Sequence, residues 1–470
     1  MASGSAGFAW RCAPEAPRCV GSTVSSEAKT DNLTLDSTHS CSVSPCRDAR
    51  RPSARGGALS RGGRAWAAAA QGTPSAQDLG LSGRVAKLAH GKVVDGPDLS
   101  VIVDGMALPN PFVIGSGPPG TNYTVMKRAF DDGWGGVICK TLSLDASKVI
   151  NVTPRYAKMT APHSRDVIGW QNIELISDRP FATMLAELKR LKEEYPGRIL
   201  IASVMEECNK GAWEEIIGRC EEVGIDGFEI NFSCPHGMPE RRMGMAMGQD
   251  PELLEEVCGW INAAATKPVW AKMTPNITDI TQPAAAALRA GCEGVAAINT
   301  IASVMGVNLQ TLRPEPCVEG YSTPGGYSSR AVKPIALAKV QAISSLIATE
   351  FGGTRSVSGI GGVESGRDAA EFVLLGAHTV QVCTGVMLHG YPLVQRLCGE
   401  LQDVLAHHGM SSLAQLRGGA LPYFTTHTDL VRRQREALEA KRSKRVGVGS
   451  DAEWTGAGFT AESAALVSNT

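Results

Sequence analysis

Gly227-Phe228-Glu229-Ile230-Asn231-Phe232-Ser233-Cys234-Pro235-His236-Gly237 decides the reading of this chain. The first half is an apolar run of strand length, and the second half is polar, reactive and turn-forming. Parallel α/β proteins place their chemistry where strands end on the carboxyl side. A buried strand that opens into Asn231 and Cys234 marks such an end. The Asn231 amide carries both a donor and an acceptor, and Cys234 carries a thiol that can move a proton or attack. Taken alone, the stretch also fits a plainer account: a buried structural thiol ahead of a Pro-His-Gly turn.

Outward from it the same pattern recurs. Apolar runs at 111–117, 136–142, 199–205, 227–233, 268–274, 294–300, 356–361 and 379–385 read as strands. Helical patterns at 123–132, 180–195, 213–223, 251–265, 281–290, 332–350, 367–375 and 393–407 alternate with them. Single helices between successive strands imply parallel pairing with right-handed crossovers. Eight such units predict an α/β fold, a (β/α)8 TIM barrel over 98–410, with an open doubly wound sheet as the alternative. The connections 145–177 and 301–333 are too long for plain loops and are expected as walls or lids at the mouth. The glycine- and methionine-bearing loop 235–249 suits a mobile flap over a flat ligand.

Polar residues at the other strand ends sharpen this picture. Strand two ends Cys139-Lys140-Thr141, strand five Ala271-Lys272-Met273-Thr274, and strand six Ile298-Asn299-Thr300. A buried ammonium or amide is costly unless partnered. One lysine alone fits a structural ion pair, whereas two lysines and two asparagines at equivalent positions favour a shared polar ligand. Gly359-Ile360-Gly361-Gly362 and Val382-Cys383-Thr384-Gly385 close strands seven and eight, where barrels commonly bind phosphate on backbone N–H groups. Gly115-Ser116-Gly117-Pro118-Pro119-Gly120 fits G-x-G-x-x-G by spelling only. Its two prolines lack the N–H donors of a dinucleotide loop. A first-strand loop lying against a flat cofactor is the better reading of Ser116 and Gly117.

Bulk properties narrow the function classes. With 470 residues, 43% apolar and 20% charged, the chain can bury a large core. A net charge of −1 gives no general attraction to nucleic acid, and no apolar run suggests a membrane partner. The thirteen cysteines form no CxxC array, so neither a metal site nor a local iron–sulfur cluster is expected, and a reducing compartment is. Residues 1–70 are rich in Ser, Ala, Gly and Arg without an apolar core segment, which predicts a disordered transit peptide for a plastid or mitochondrion. A tail with no address is the alternative. Residues 71–97 read as a linker and 411–470 as an extension packed on the barrel, with a charged helical stretch at 429–445.

In order, the strand ends resemble the flavin barrel of the dihydropyrimidine dehydrogenases, within the wider dihydroorotate dehydrogenase group, and the plastid form of plants in particular. The carriers include Lys140-Thr141-Leu142-Ser143-Leu144-Asp145, Asn172-Ile173-Glu174-Leu175-Ile176-Ser177, Asn231 to Met238, Gly248-Gln249-Asp250-Pro251, Ala271 to Asn276 and Val380-Gln381-Val382-Cys383. The resemblance implies FMN across the barrel mouth, with its phosphate near Gly361, Gly362, Cys383 and Thr384. Ser116, Gly117, Lys140, Thr141 and Lys272 would hold the rest of it, the two lysines stabilising negative charge on the reduced ring. Uracil or thymine would meet Asn172, Asn231, Asn299 and Thr300, with Cys234 as the catalytic proton donor to C5 after hydride reaches C6. His236 would order the flap or serve only as a turn residue.

NADPH is the implied electron donor, directly or through a separate reductase, and a homo-oligomer is the expected assembly in the plastid. Two departures stand out. The sequence has neither the length nor the cysteine clusters for the extra FAD, nicotinamide and iron–sulfur modules of animal relatives, so none is expected, and it reads Gly325-Gly326-Tyr327-Ser328-Ser329 where many relatives end in glycine. A dihydroorotate dehydrogenase, with Arg241 or Arg242 as the cation for a substrate carboxylate, is the nearest alternative. A flavin-free phosphate-binding lyase barrel is a second.

Overall fold

Eight short runs of buried residues become eight parallel strands: β1 (Phe112–Ile114), β2 (Gly136–Ile138), β3 (Ile199–Val204), β4 (Gly227–Asn231), β5 (Val269–Lys272), β6 (Gly294–Ala297), β7 (Ser356–Ile360) and β8 (Thr379–Val382). A computed structural model describes residues 83–146, 149–234 and 242–443. The segment 1–70, residues 235–241 with His236 and Arg241, and the tail past 443 lie outside the described residues. Each strand pairs with its sequence neighbours, and β8 pairs with β1 to close the barrel. Closure removes the open-sheet alternative, which needs two unpaired edges.

The helices α1 (Tyr123–Asp132), α2 (Phe181–Glu194), α3 (Lys210–Glu221), α4 (Pro251–Ala264), α5 (Thr281–Arg289), α6 (Lys333–Glu350), α7 (Gly366–Leu374) and α8 (Leu393–His407) alternate with the strands. Their ends follow local chemistry. Asn122 accepts the Val125 N–H to start α1, and Gly133 at φ +103° stops it in the left-handed region glycine tolerates. Asp250 caps α4 ahead of Pro251, and Ser365 with Asp368 forms a capping box on α7. Helix α6 is long and apolar enough to cross a membrane by composition. Here its Ala336, Val340, Ile343 and Ile347 stripe is buried in the protein core.

The amino-terminal end of the barrel is plugged by a hairpin, Val101–Val103 against Met106–Leu108. Its alternating residues Val101, Val103, Met106 and Leu108 pack with Val113, Ile138, Ile201 and Trp270. Asp104 in its turn accepts the Trp270 indole N–H at 2.6 Å and the Ser356 hydroxyl at 2.5 Å. With that end closed, a ligand has the carboxyl end of the strands to enter.

Above the carboxyl end, the two long connections pair with each other. Tyr156–Thr160, Val167–Asn172, Gly325–Ser328 and Ile301–Ser303 form an antiparallel sheet that walls one side of the mouth. The stretch expected as a linker is packed from residue 86 onward: Ala86 donates to the Gln395 carbonyl, and Gln402 binds the carbonyls of Asp95 and Pro97. Past 411, Leu413 and Leu416 are buried, whereas the described side chains of helix His427–Ser443 are nearly all exposed.

Candidate active site

The lowest layer of the mouth is ionic. Lys272, at the end of β5, reaches Glu229 on β4 at 2.9 Å and Gln381 on β8 at 3.2 Å. Gln381 donates to the other Glu229 oxygen at 2.6 Å and to Ser358 at 3.0 Å, and Thr379 donates to Ser358 at 2.7 Å. Glu229 is fully buried and Lys272 is 3% exposed. Charges so deep survive only when paired and hydrogen-bonded, and both conditions hold.

On the wall side, Lys140 at the end of β2 reaches Glu174 at 2.9 Å, and the second oxygen of that carboxylate faces Arg155 at 3.3 Å. Each predicted lysine is therefore in an ion pair and also lines the cleft. The ion-pair and shared-ligand accounts describe the same residues.

The asparagines form the next layer. The Asn231 amide donates to Thr141 at 3.0 Å, and Thr141 also lies within hydrogen-bond reach of Ser203 and Ser116. Asn299 donates to the Ser233 hydroxyl at 2.8 Å. Asn172 donates to the Gly326 carbonyl at 3.2 Å across the wall sheet. In every case a backbone N–H fixes which end is oxygen: Ser233 donates to Asn231, Thr300 to Asn299, and Glu174 to Asn172. A backbone N–H can only donate, so the three amides are oriented before any ligand arrives.

The opposite end of the cleft is a glycine cradle. Gly361 has φ +141° and Gly362 φ +75°, and an added Cβ would lie 2.6 Å from Ala336 Cβ at the first and 2.9 Å from the Ser329 carbonyl at the second. Side chains are thus kept away and backbone N–H groups can approach an anion. Thr384 and Ser328 share a hydrogen bond at 2.9 Å beside it. Cys383 packs against Gly117, where a Cβ would come within 2.5 Å of the sulfur. Burial pushes the Cys383 thiol up to about 11, with Lys272 and Lys140 pulling weakly the other way, so it is a neutral packing group. Ser329, where the resemblance leads one to expect glycine, adopts φ +79° and ψ −168° all the same.

Cys234 lines the cleft next to Ser233 and packs with Ile176, Met205 and Met243. All fourteen residues expected to serve flavin, pyrimidine or proton transfer border this one cleft, whose empty volume, including open solvent at the rim, is about 1080 Å³; Arg242 does not border it, and His236 and Arg241 lie outside the described residues.

The sequence reading missed Glu229, Gln381 and Glu174 as working parts, along with Tyr156 and Trp170 from the wall. Glu229 had a signal: a lone carboxylate inside an apolar strand requires a partner, and Lys272 ends the neighbouring strand. Gln381 repeats the pattern on β8. The wall aromatics had none, because their placement depends on pairing between distant loops.

Fold and mouth together define a ligand-binding (β/α)8 barrel, closed below and bearing cations, amides and a glycine cradle around one cleft. The chain matches the dihydroorotate dehydrogenase family model over residues 98–405 and belongs to that family. It is 68% identical over 377 residues to "Dihydropyrimidine dehydrogenase (NADP(+)), chloroplastic" of Arabidopsis thaliana, covering 79% of this chain and 88% of that one. It is 43% identical over 322 residues to "NAD-dependent dihydropyrimidine dehydrogenase subunit PreA" of Escherichia coli K12, covering 68% and 76%. The structure of DHODH from Eimeria tenella in complex with ferulenol superposes with a TM-score of 0.59 at 20% identity, covering 72% of this chain and 91% of that one, a likeness of fold alone. The resemblance read from the strand ends is upheld, and the chloroplastic name of the Arabidopsis relative agrees with a plastid address for the amino-terminal segment.

Proposed function

We propose that this chain reduces the 5,6 double bond of uracil and thymine in the plastid, with NADPH as the source of electrons and FMN as the carrier at the barrel mouth. The residues present fit FMN. The Gly361-Gly362 cradle with Thr384 suits its phosphate; Ser116, Gly117, Thr141, Lys140 and Lys272 line the same cleft and would hold its ring, the two lysines offering N–H groups to added negative charge. When bound, FMN supplies the hydride that NADPH has delivered.

The observation that carries the reading is the set of three pre-oriented amides, Asn172, Asn231 and Asn299. All three residues border the cleft, and each amide nitrogen carries two hydrogens. A flat ring with two carbonyl oxygens and alternating N–H groups is the complement of such a set. Thr300 adds a hydroxyl. Cys234 gives its proton to C5 as hydride reaches C6, and its thiolate is reprotonated from solvent, so the sum is pyrimidine plus NADPH plus one proton.

A substrate bearing a carboxylate needs a cation in the cleft beyond the paired lysines. Arg242 is exposed and is not among the lining residues. Both lysines are held against carboxylates, which suits a charge donor better than the nucleophilic amine of a lyase. The Escherichia coli relative is named as a subunit, so a separate reductase is one route for the electrons. Steady-state oxidation of NADPH tests the proposal: uracil and thymine are expected to drive it and orotate is not. Turnover with orotate or dihydroorotate alone would replace the pyrimidine reading.

A further inference from the structure

We propose that Glu229 is a positioning residue that fixes Lys272 and lowers the reduction potential of flavin bound in the cleft that Lys272 lines. The inference rests on the FMN reading and adds to it a residue that does not border the cleft.

Barrel interiors are normally filled by branched apolar side chains. At this level the chain instead buries a carboxylate, an ammonium and an amide from three strands. The Lys272 ammonium lies 2.9 Å from Glu229 Oε1, and Gln381 ties the second oxygen at 2.6 Å. Lys272 and Gln381 line the cleft and Glu229 does not, so any effect of Glu229 on a ligand passes through those two groups or through its charge. An apolar trio of similar volume would serve folding as well or better. The arrangement is therefore better explained by what it does at the mouth.

Charge decides the direction. Lys272 and Glu229 together sum to zero, and on the wall side Lys140 and Arg155 face Glu174, with Asp178 also acting on Arg155. Lys272 therefore offers a directed N–H group with little net field. A flavin so placed holds its two electrons less tightly than it would over an unopposed lysine. Weaker retention helps when those electrons must pass to an unactivated ring double bond. Removing the Glu229 charge leaves Lys272 unopposed, and the flavin then keeps its electrons.

The test is the midpoint potential of FMN-loaded protein, measured anaerobically by absorbance against redox dyes. Glu229→Gln is expected to favour the reduced form by at least tenfold, about 30 mV upward for a two-electron couple. Its reduction by NADPH should be retained while reoxidation by uracil slows at least tenfold. A folded, flavin-loaded Glu229→Gln protein with an unchanged potential overturns the inference.

If Glu229→Gln does not fold, Lys272→Met and Lys272→Met/Glu229→Gln carry the test. The single variant leaves an unpaired buried carboxylate and should lower the potential, and the double variant should restore part of the loss. A double variant no higher than the single one overturns the inference equally. Wild-type protein that takes up no FMN removes the proposed function itself, a result distinct from either.

Discussion

Lys140 Nζ stands 2.9 Å from Glu174 Oε2, and that one carboxylate also faces Arg155 at 3.3 Å. Glu174 thereby ties the end of a barrel strand to the wall sheet, because Lys140 follows β2 while Arg155 and Glu174 flank the wall strands. The pair is largely buried, so truncating one side leaves charge without its partner. Glu174→Gln is expected to cost about 3 kcal/mol of stability and to loosen flavin retention, both read by urea unfolding and by flavin release on dilution. Unchanged unfolding and retention would mean that Lys140 is placed by the barrel alone.

The glycine cradle and Ser329 make opposite predictions. Gly361→Ala places a methyl 2.6 Å from Ala336 Cβ at φ +141°, so a loss of about 2 kcal/mol or more is expected, with weaker FMN binding. Ser329 sits at φ +79° and ψ −168°, a region that glycine alone enters freely. Ser329→Gly should therefore raise stability by up to about 1 kcal/mol, or leave it unchanged through loss of backbone entropy. Thermal unfolding distinguishes the two signs. A marked loss in Ser329→Gly would show that its hydroxyl, 3.5 Å from Glu364, matters more than the backbone.

Cys234→Ala should keep FMN and pyrimidine affinity within about threefold while turnover falls by roughly 100-fold or more, the usual scale of a lost general acid. Isothermal titration against stopped-flow reoxidation of the flavin separates binding from chemistry. Turnover equal to wild type would remove Cys234 from the mechanism.

His378 offers a pH test of the fold. Burial lowers its pKa from 6.5 to about 4, with Arg417 adding to the effect, and Val357 donates its N–H to the ring at 3.3 Å. Because the folded pKa lies below the unfolded one, the stabilisation is complete above pH 6.5 and drains away as pH falls toward 4. The loss over that window is on the order of 3 kcal/mol. His378→Gln should flatten the decline in unfolding free energy measured between those pH values. A decline as steep as in wild type would place the titration elsewhere.

The barrel was legible in the sequence because each strand and helix announces itself within its own residues. Helix α1 was expected at 123–132 and is found there. Strand β1 was expected at 111–117 but ends at Ile114, since the chain turns away through Gly115 to Pro118. The wall sheet was not legible, because Gly326 pairs with Asn172 across 154 residues and no local pattern records that register. Glu229 was passed over for a related reason: it sits within an apolar run, and its meaning depends on Lys272 one strand away. The Asp104-Gly105 turn of the barrel plug, between two alternating apolar stretches, is a local signal that the sequence does carry.

One measurement bears most directly on the central claim that these distant side chains form a single flavin and pyrimidine site. Purified protein loaded with FMN is mixed anaerobically with NADPH, together with a reductase if it is needed, and then with uracil, while flavin absorbance is followed. The account predicts that the flavin bleaches with NADPH and regains its colour at once with uracil. Protein that binds no flavin, or a bleached flavin that neither uracil nor thymine restores, would contradict it.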